Sequence, residues 1–457
     1  MTAASNNLNM TKLPVYKAVA KLAIPTVLSS LVMVIYNLAD TYFVGMLNDP
    51  VMNAAVTLAS PLILAFNAVN NLFGVGASSL LSRALGSNDH VKARQSASFG
   101  IYGALCFSIL YALICYFFRS PILKLLGATE STAYMTYQYM KWAVILNAVP
   151  AIVSVVFSYL VRAEGAAGQA SLGISLGAIL NIILDPIFAL PFGLNLGAEG
   201  VGIATFISNC VACTYFIIIL YRKRKTSCIQ LSPKYFTLNR SIVTGVFSVG
   251  ISASIQNLLN VTGMTILNNF TASYGTNAVA AMGITQKINL VPMYISLGVS
   301  QGVSPLIGYT YASENYDYMK KTILFSVKLM LCVSVSASII LFLGGSSLTA
   351  LFISNTEIIE YGGHLLQAFS ISLPFQCIDF LAVCVFQATG NGKSSLIFAI
   401  MRKIVLEIPC MIIFNKIIGL YGLPYGQVVA EFCLAIAAVF MLKKFFTSLK
   451  HRTPRAA

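Results

Sequence analysis

Charge is what this sequence lacks. Asp, Glu, Lys and Arg make up 9% of its 457 residues and hydrophobic residues 57%, against roughly 25% charged in a soluble domain. A water-soluble surface cannot be built from that mixture. Histidine is nearly absent: His90, His364 and His451 fall in loops, near a helix end or in the C-terminal tail. No nucleophile, base and metal constellation can be assembled from so few groups, which argues against an enzyme and against a bound cofactor. The ten cysteines lie singly within or beside apolar stretches, as small hydrophobes do, and form no disulfide framework. Cys210 and Cys213 have CxxC spacing but no second ligand pair nearby, so packing accounts for them better than zinc. A phosphate-binding loop is missing too. GNGKSS at Gly390 has Gln387 where that motif needs its first glycine, and no strand precedes it, so nothing supports ATP as a partner.

Long apolar stretches are abundant. A transmembrane helix needs about 20 predominantly apolar residues, and apolar runs broken by Gly, Pro and polar residues predict spans near 15–46, 51–82, 95–118, 134–160, 168–190 and 199–221. A second six follow near 240–271, 277–308, 320–343, 361–386, 394–416 and 423–446. The stretch after Lys21 continues to Gly45 without a small-residue cleavage site and reads as the first span, not a cleaved signal, with Pro25 as a kink site. The excess of basic residues sits on one set of loops, above all the run Arg222 to Lys225, with Lys320, Lys321, Lys443, Lys444 and the tail. The positive-inside rule then places both termini in the cytoplasm of a plasma membrane. It also disposes of nucleic acid as a partner, because the charge is a topology signal.

Sliding the chain by roughly 225 positions lays it on itself. IPTVLSSLVMVIYNLADTYFVG from Ile24 pairs with VGISASIQNLLNVTGMTILNNF from Val249. VRAEGAAGQA from Val161 pairs with FQATGNGKSS from Phe386, followed by NIILDPIF on IVLEIPCM. Each half holds an even number of spans, so the repeat is parallel, with its axis along the membrane normal. The expected fold is an all-α polytopic membrane protein of twelve helices in two pseudo-symmetric six-helix bundles around a central V-shaped cleft. Its expected parts are an N-terminal lobe (1–221), a cytoplasmic linker (222–239), a C-terminal lobe (240–446) and a cytoplasmic tail (447–457). A cleft that opens alternately is what a transporter requires.

Each carboxylate inside the membrane costs at least ~2.5 kcal/mol on insertion scales and is a functional candidate by default. Asp40 and Tyr36 in helix 1, and Asp185 and Asn181 in helix 5, are spaced i, i+4 and project from shared helix faces. Together they offer an oxygen-rich set that can hold a small hard cation or, through like-charge proximity, carry a proton. Pro186 adds a freed backbone carbonyl one turn earlier. Glu407 in helix 11 has Lys403 four residues before it and Arg402 five before, enough for an intrahelical pair. Glu431 in helix 12 has no local partner. Asp379 in helix 10 either couples transport or neutralises Lys287 of helix 8.

At these residues the sequence closely resembles the multidrug and toxic compound extrusion family, bacterial multidrug exporters in particular. The resemblance covers essentially the whole chain and rests on YNLADTYFVG, NLFGVGASSLLSRALG, VRAEGAAGQA, NIILDPIF and FQATGNGK read with the repeat. It implies alternating access and efflux of lipophilic, often cationic drugs against inward sodium or protons, with a monomer as the working unit. The family's N-lobe cation site falls on Asp40, Asn181 and Asp185, with Tyr36 adjacent and Thr205 as a further ligand. Branches that use the C-lobe have acids in helices 7 and 10; here Asp379 stands in helix 10 but Asn260 in helix 7. Met33, Asn67, Asn70, Asn71, Gln256, Met264 and Met293 are candidates for a substrate cleft, since methionine adapts to varied ligands. A flippase of lipid-linked intermediates is the alternative within transport, and a receptor or scaffold the alternative outside it.

Overall fold

The computed structural model describes residues 9–47 and 49–450. The tail segment 451–457, with His451, lies outside the described residues. Helices make up most of the described residues, with no strand among them, as hydrocarbon demands: without water, backbone N–H and C=O groups must bond within their own segment. The helices are α1 (Val15–Met46), α2 (Pro50–Gly86), α3 (His90–Phe117), α4 (Glu130–Leu146 and Ala148–Ala163), α5 (Ala167–Ala189) and α6 (Gly197–Arg222). They continue with α7 (Arg240–Ala272), α8 (Thr276–Ala312), α9 (Tyr316–Ala350) and α10 (Thr356–Ala388). Among the described residues nine are long and apolar enough to cross a membrane, ten with the bent pair α4. Two further segments complete the twelve: α11, in three pieces (Gly392–Ile400, Met401–Glu407, Ile408–Ile418), and α12 (Gly422–Lys450). α11 carries Arg402, Lys403 and Glu407 within one stretch, which makes it the most charged span.

Irregularities have local causes. α1 runs through Pro25 as one helix. α4 bends by 42° after a π-helical turn at Lys141–Leu146, where Pro150 cannot donate to the Leu146 carbonyl. The Asn147 side chain takes up the Ala143 carbonyl at 3.1 Å and accepts from Asn209 at 3.1 Å. A short helix, Arg119–Leu125, which the sequence reading folded into a loop, follows α3. GNGKSS is a helix-to-helix turn: Gly390 takes φ +80, and Asn391 accepts from the Ser394 N–H at 3.3 Å to cap α11. All ten cysteines are free.

The chain divides into two compact units, and packing crosses the chain-order boundaries at two places. One unit spans Leu28–Ser254; the other joins Thr11–Val27 to the chain from Ile255 onward. α1 and α7 have 32 and 33 residues, about 48 Å of helix at 1.5 Å per residue, against ~30 Å of hydrocarbon. Each is long enough to serve two packing environments. In the first unit Phe247 of α7 meets Phe73 of α2 at 6.0 Å between ring centroids, and Ser254 donates to the Ala68 carbonyl at 2.6 Å. In the second unit Val19 and Ala23 of α1 enter the core with Val299, Val303 and Ile307 of α8, and Tyr318 donates to the Leu13 carbonyl at 2.9 Å.

The basic linker packs on the first unit. Glu164, in the turn between α4 and α5, accepts from the Cys228 N–H at 2.6 Å, the Ile229 N–H at 3.3 Å and the Ser227 hydroxyl at 2.7 Å. Burial pushes the Glu164 carboxyl up from its ordinary range, and those three donors partly offset it. Tyr235 accepts from Arg94 at 3.0 Å, and Phe236 stacks on Phe99.

Small residues set helix spacing, as expected where lipid is as apolar as leucine and close contact drives association. α9 and α10 pack closely at Gly345, where an added Cβ would lie 2.8 Å from the Gly363 carbonyl oxygen; at Gly344 the nearest neighbour is a Leu348 methyl at 3.5 Å. Gly345→Ala is therefore expected to lower the thermal midpoint in detergent, at an overpacking cost of about 1–3 kcal/mol. Gly344→Ala should hold or raise it, because alanine is the better helix former by ~1 kcal/mol. Equal midpoints for the two variants would contradict this packing.

Candidate functional site

The first unit gathers its polar residues from four helices. α5 presents Asn181 and Asp185 one turn apart, and both are buried, at 2% and 0% exposure. The Asn181 carboxamide, oriented to satisfy both neighbours, donates from nitrogen to Asp185 Oδ2 at 2.8 Å, and its oxygen accepts from the Thr205 hydroxyl and backbone N–H, each at 3.2 Å. The Thr205 hydroxyl also lies 2.9 Å from the Val201 carbonyl of its own helix, α6. From α1, Tyr36 and the half-buried Asp40 complete the group, with Asp40 and Asp185 in electrostatic reach of each other and of the Tyr36 phenol. Tyr139 of α4 stands in the same field and was missed in the sequence, where one tyrosine among several in YMTYQYM carries no distinguishing signal. Pro186 leaves the Ile182 carbonyl without its helical donor.

Every side chain in this group presents oxygen or nitrogen, and two are carboxylic acids. Such a set can hold a hard cation through oxygen ligands or exchange protons, because two nearby carboxylates resist simultaneous ionisation. Asn181 fixes the rotamer of Asp185 and is itself fixed by Thr205, so one carboxylate is held while Asp40, half-exposed on α1, is less constrained.

The second unit departs from the sequence expectations. No ion pair joins Lys287 to Asp379 among the described residues. Lys287 is half-buried on α8, while Asp379 faces Glu431 of α12 and the Arg402 charge of α11. Arg402 and Glu431 form a buried ion pair, with Arg402 Nε 3.0 Å from Glu431 Oε1 and Nη2 closer still. Lys403 pairs with Glu407 at 2.6 Å within the π-helical turn Met401–Glu407. Glu407 thus takes one of its two expected partners, and Arg402 turns to the glutamate that had none in the sequence. Their separation along the chain hid that pair. Asn260 of α7 is half-buried, and α7 passes over the Lys403–Glu407 pair at Gly263, where an added Cβ would be 3.2 Å from Lys403 Cδ.

The cleft candidates divide between the units. Met33, Asn67, Asn70 and Asn71 belong to the first, and Gln256, Met264 and Met293 to the second. Asn70 opens a π-helical turn in α2 (Asn70–Val75) and is buried, with no partner for its side-chain oxygen among the described residues. Gln256 accepts from Gln387 at 3.2 Å. Met264 is exposed, and Met33 and Met293 are half-buried.

Comparison with known proteins gives this geometry a family. The profile described as MatE matches residues 25–187 and again 252–413, so the internal repeat is the family unit present twice. Multidrug export protein MepA of Staphylococcus saprophyticus is 34% identical over 432 residues, covering 94% of each chain. MepA of Staphylococcus aureus is similar at 34% over the same length and coverage. Among solved structures, a MATE protein crystallised with MaL6 superposes with a TM-score of 0.91 at 25% identity, covering 97% of this chain and 98% of the other. An outward-facing multidrug resistance MATE family transporter of the MOP superfamily gives 0.89 at 25% identity, with the same coverage. With both halves matched by one family profile and similarity sustained along nearly its full length, the chain belongs to the MatE family.

Proposed function

We propose that this protein is a secondary-active multidrug exporter that moves lipophilic, often cationic molecules out of the cell by alternating access, in exchange for inward sodium ions or protons. The observation that carries this reading is the Asp185–Asn181–Thr205 chain beside Asp40 and Tyr36. A carboxylate with no exposure to solvent, held by a carboxamide that is itself held, has no evident packing purpose in a membrane helix and costs insertion energy to retain. As a coupling site it has one: binding a cation or proton neutralises the carboxylates, and releasing it restores their charge. That change in charge within a low-dielectric interior gives the two states of the cycle different energies. The relatives named multidrug export protein supply the substrate class. Energy then comes from the ion gradient and not from ATP, and a single chain carrying both repeats suffices as the working unit.

The test is efflux of a fluorescent lipophilic cation from cells under separately imposed sodium and proton gradients. Wild type should extrude the dye in response to one gradient, Asp40→Asn and Asp185→Asn should fall to the level of cells lacking the protein, and Asn181→Ala should need a higher concentration of the coupling ion. Loosening a group that orients a ligand weakens ion affinity by about 10–100-fold. Gradient-driven efflux that survives Asp185→Asn would overturn this assignment.

The orientation with both termini in the cytoplasm has its own test. On a cysteine-free background, Thr129→Cys, in the loop before α4, should react with a membrane-impermeant thiol reagent in intact cells. Lys225→Cys should react only after permeabilisation, and the reverse pattern would invert the topology.

A further inference from the structure

In the first unit, α6 meets α4 at its π-helical turn, Lys141–Leu146. The Trp142 indole N–H donates to Glu199 Oε1 at 2.8 Å, and the Trp142 and Phe206 rings lie 5.8 Å apart between centroids. Just past the turn, Asn209 donates to the Asn147 side-chain oxygen at 3.1 Å. Between these bonds the backbones close up: an added Cβ on Gly202 would be 3.1 Å from Trp142 Cβ and 3.2 Å from the Tyr139 carbonyl oxygen. Glu199, Gly202, Phe206 and Asn209 follow at i, i+3, i+7 and i+10, so one face of α6 carries all four. Thr205 stands at the edge of that face, and its backbone N–H donates to the Asn181 oxygen at 3.2 Å. α6 thus connects the turn in α4 to the group that holds Asp185.

This linkage has little slack. A hydroxyl can rotate to follow a moving partner, but a backbone N–H cannot, and 3.2 Å is already at the long limit for an N–H···O bond. A shift of α6 along or about its axis therefore loosens Asn181, and with it the rotamer of Asp185. A π-helical turn interrupts the regular ladder and recurs at functional sites; here α6 bonds both of its ends. The second repeat has no such arrangement. α10 is α-helical from Thr356 to Ala388, and Tyr421 stands where GLYGLPYG, laid on GAEGVGIA, would match Glu199. We propose that Trp142 and Glu199, with Asn147 and Asn209 at the other end of the turn, are positioning residues for the coupling site. They lock α6 against α4 and so set the affinity of the Asp185 group for its ion. The use of that ion rests on the transporter reading above.

Trp142 is the sole tryptophan of the chain, so its emission reports on this contact without labelling. Lys141 Nζ stands 5.1 Å from its ring centre, a nearby charge that makes the emission sensitive to small displacements. The full-length protein in lipid nanodiscs is titrated with sodium chloride, with choline chloride holding ionic strength constant, and separately with acid. Binding is followed in parallel with labelled sodium and a pH indicator. Trp142 emission should shift with one ion. Glu199→Leu removes the acceptor and should move the midpoint to an ion concentration about 10–100-fold higher, the usual cost of loosening a group that orients a ligand. Glu199→Gln keeps an oxygen for the indole N–H yet cannot titrate, so it should keep the wild-type midpoint in both arms. Adding Asp185→Asn to Glu199→Gln should remove the shift. If Glu199→Leu does not fold, Asn209→Leu, which breaks the bond at the other end of the turn, decides in its place. The proposal is overturned if an ion binds with no change in Trp142 emission, if the shift survives Asp185→Asn, or if the folded leucine variant keeps the wild-type midpoint. It is equally overturned if Glu199→Gln moves the midpoint as far as Glu199→Leu does. Absence of binding by either ion would be a different result, sinking the coupling-site reading and this inference with it.

Discussion

Neutralising charge inside a membrane is the constraint on which this structure depends. Each ionised side chain held at mid-helix depth costs ~2.5–3.5 kcal/mol on insertion scales, and this chain keeps very few. The few it keeps are answered in three physical ways. Arg402 with Glu431 and Lys403 with Glu407 are direct ion pairs. Asp185 is held by the dipole of Asn181, backed in turn by Thr205. Asp40 and Asp379 form no ion pair among the described residues. The first two arrangements are self-contained, and the last leaves groups whose charge must be settled by something from outside, which is the opening for an ion-driven cycle.

The two repeats show how one scaffold carries different chemistry. The same family unit occupies both halves, yet the carboxylates of the first half stand near hydroxyl and carboxamide partners, while Glu407 and Glu431 of the second are matched to lysine and arginine on α11. The π-helical turn Met401–Glu407 places Arg402 and Lys403 so that one reaches α12 and the other stays on its own helix. A regular helix would hold two adjacent side chains about 100° apart on one register; the widened turn alters that register, and such turns recur at functional sites.

Much of the fold was legible because hydrocarbon leaves few choices. Long apolar runs fix helices, the repeat fixes equivalence of the halves, and the i, i+4 spacing of Asn181 and Asp185 put both on one face before any coordinates. What escaped depends on contacts distant in sequence. Glu431 could not be matched to Arg402 from the sequence because nothing in α12 says which face of α11 it meets. Lys287 was the expected partner for Asp379 as a cation of the same lobe, but the packing turns Asp379 toward α12. The division of α1 and α7 between packing units was equally hidden, since Leu28 and Ser254 interrupt no helix and carry no turn residue. The bend in α4 was readable in hindsight from Asn147 and Pro150.

Reconstituted vesicles test the central claim, that the first unit's acids bind the ion whose movement drives export, without cells or other transporters. Liposomes loaded with a fluorescent lipophilic cation, and given no ion gradient, are followed for dye exit together with uptake of labelled sodium and internal acidification. Coupling requires that dye exit through wild type pull one cation inward and that Asp185→Asn abolish that movement. Dye leaving at the wild-type rate with neither sodium nor protons entering would contradict it.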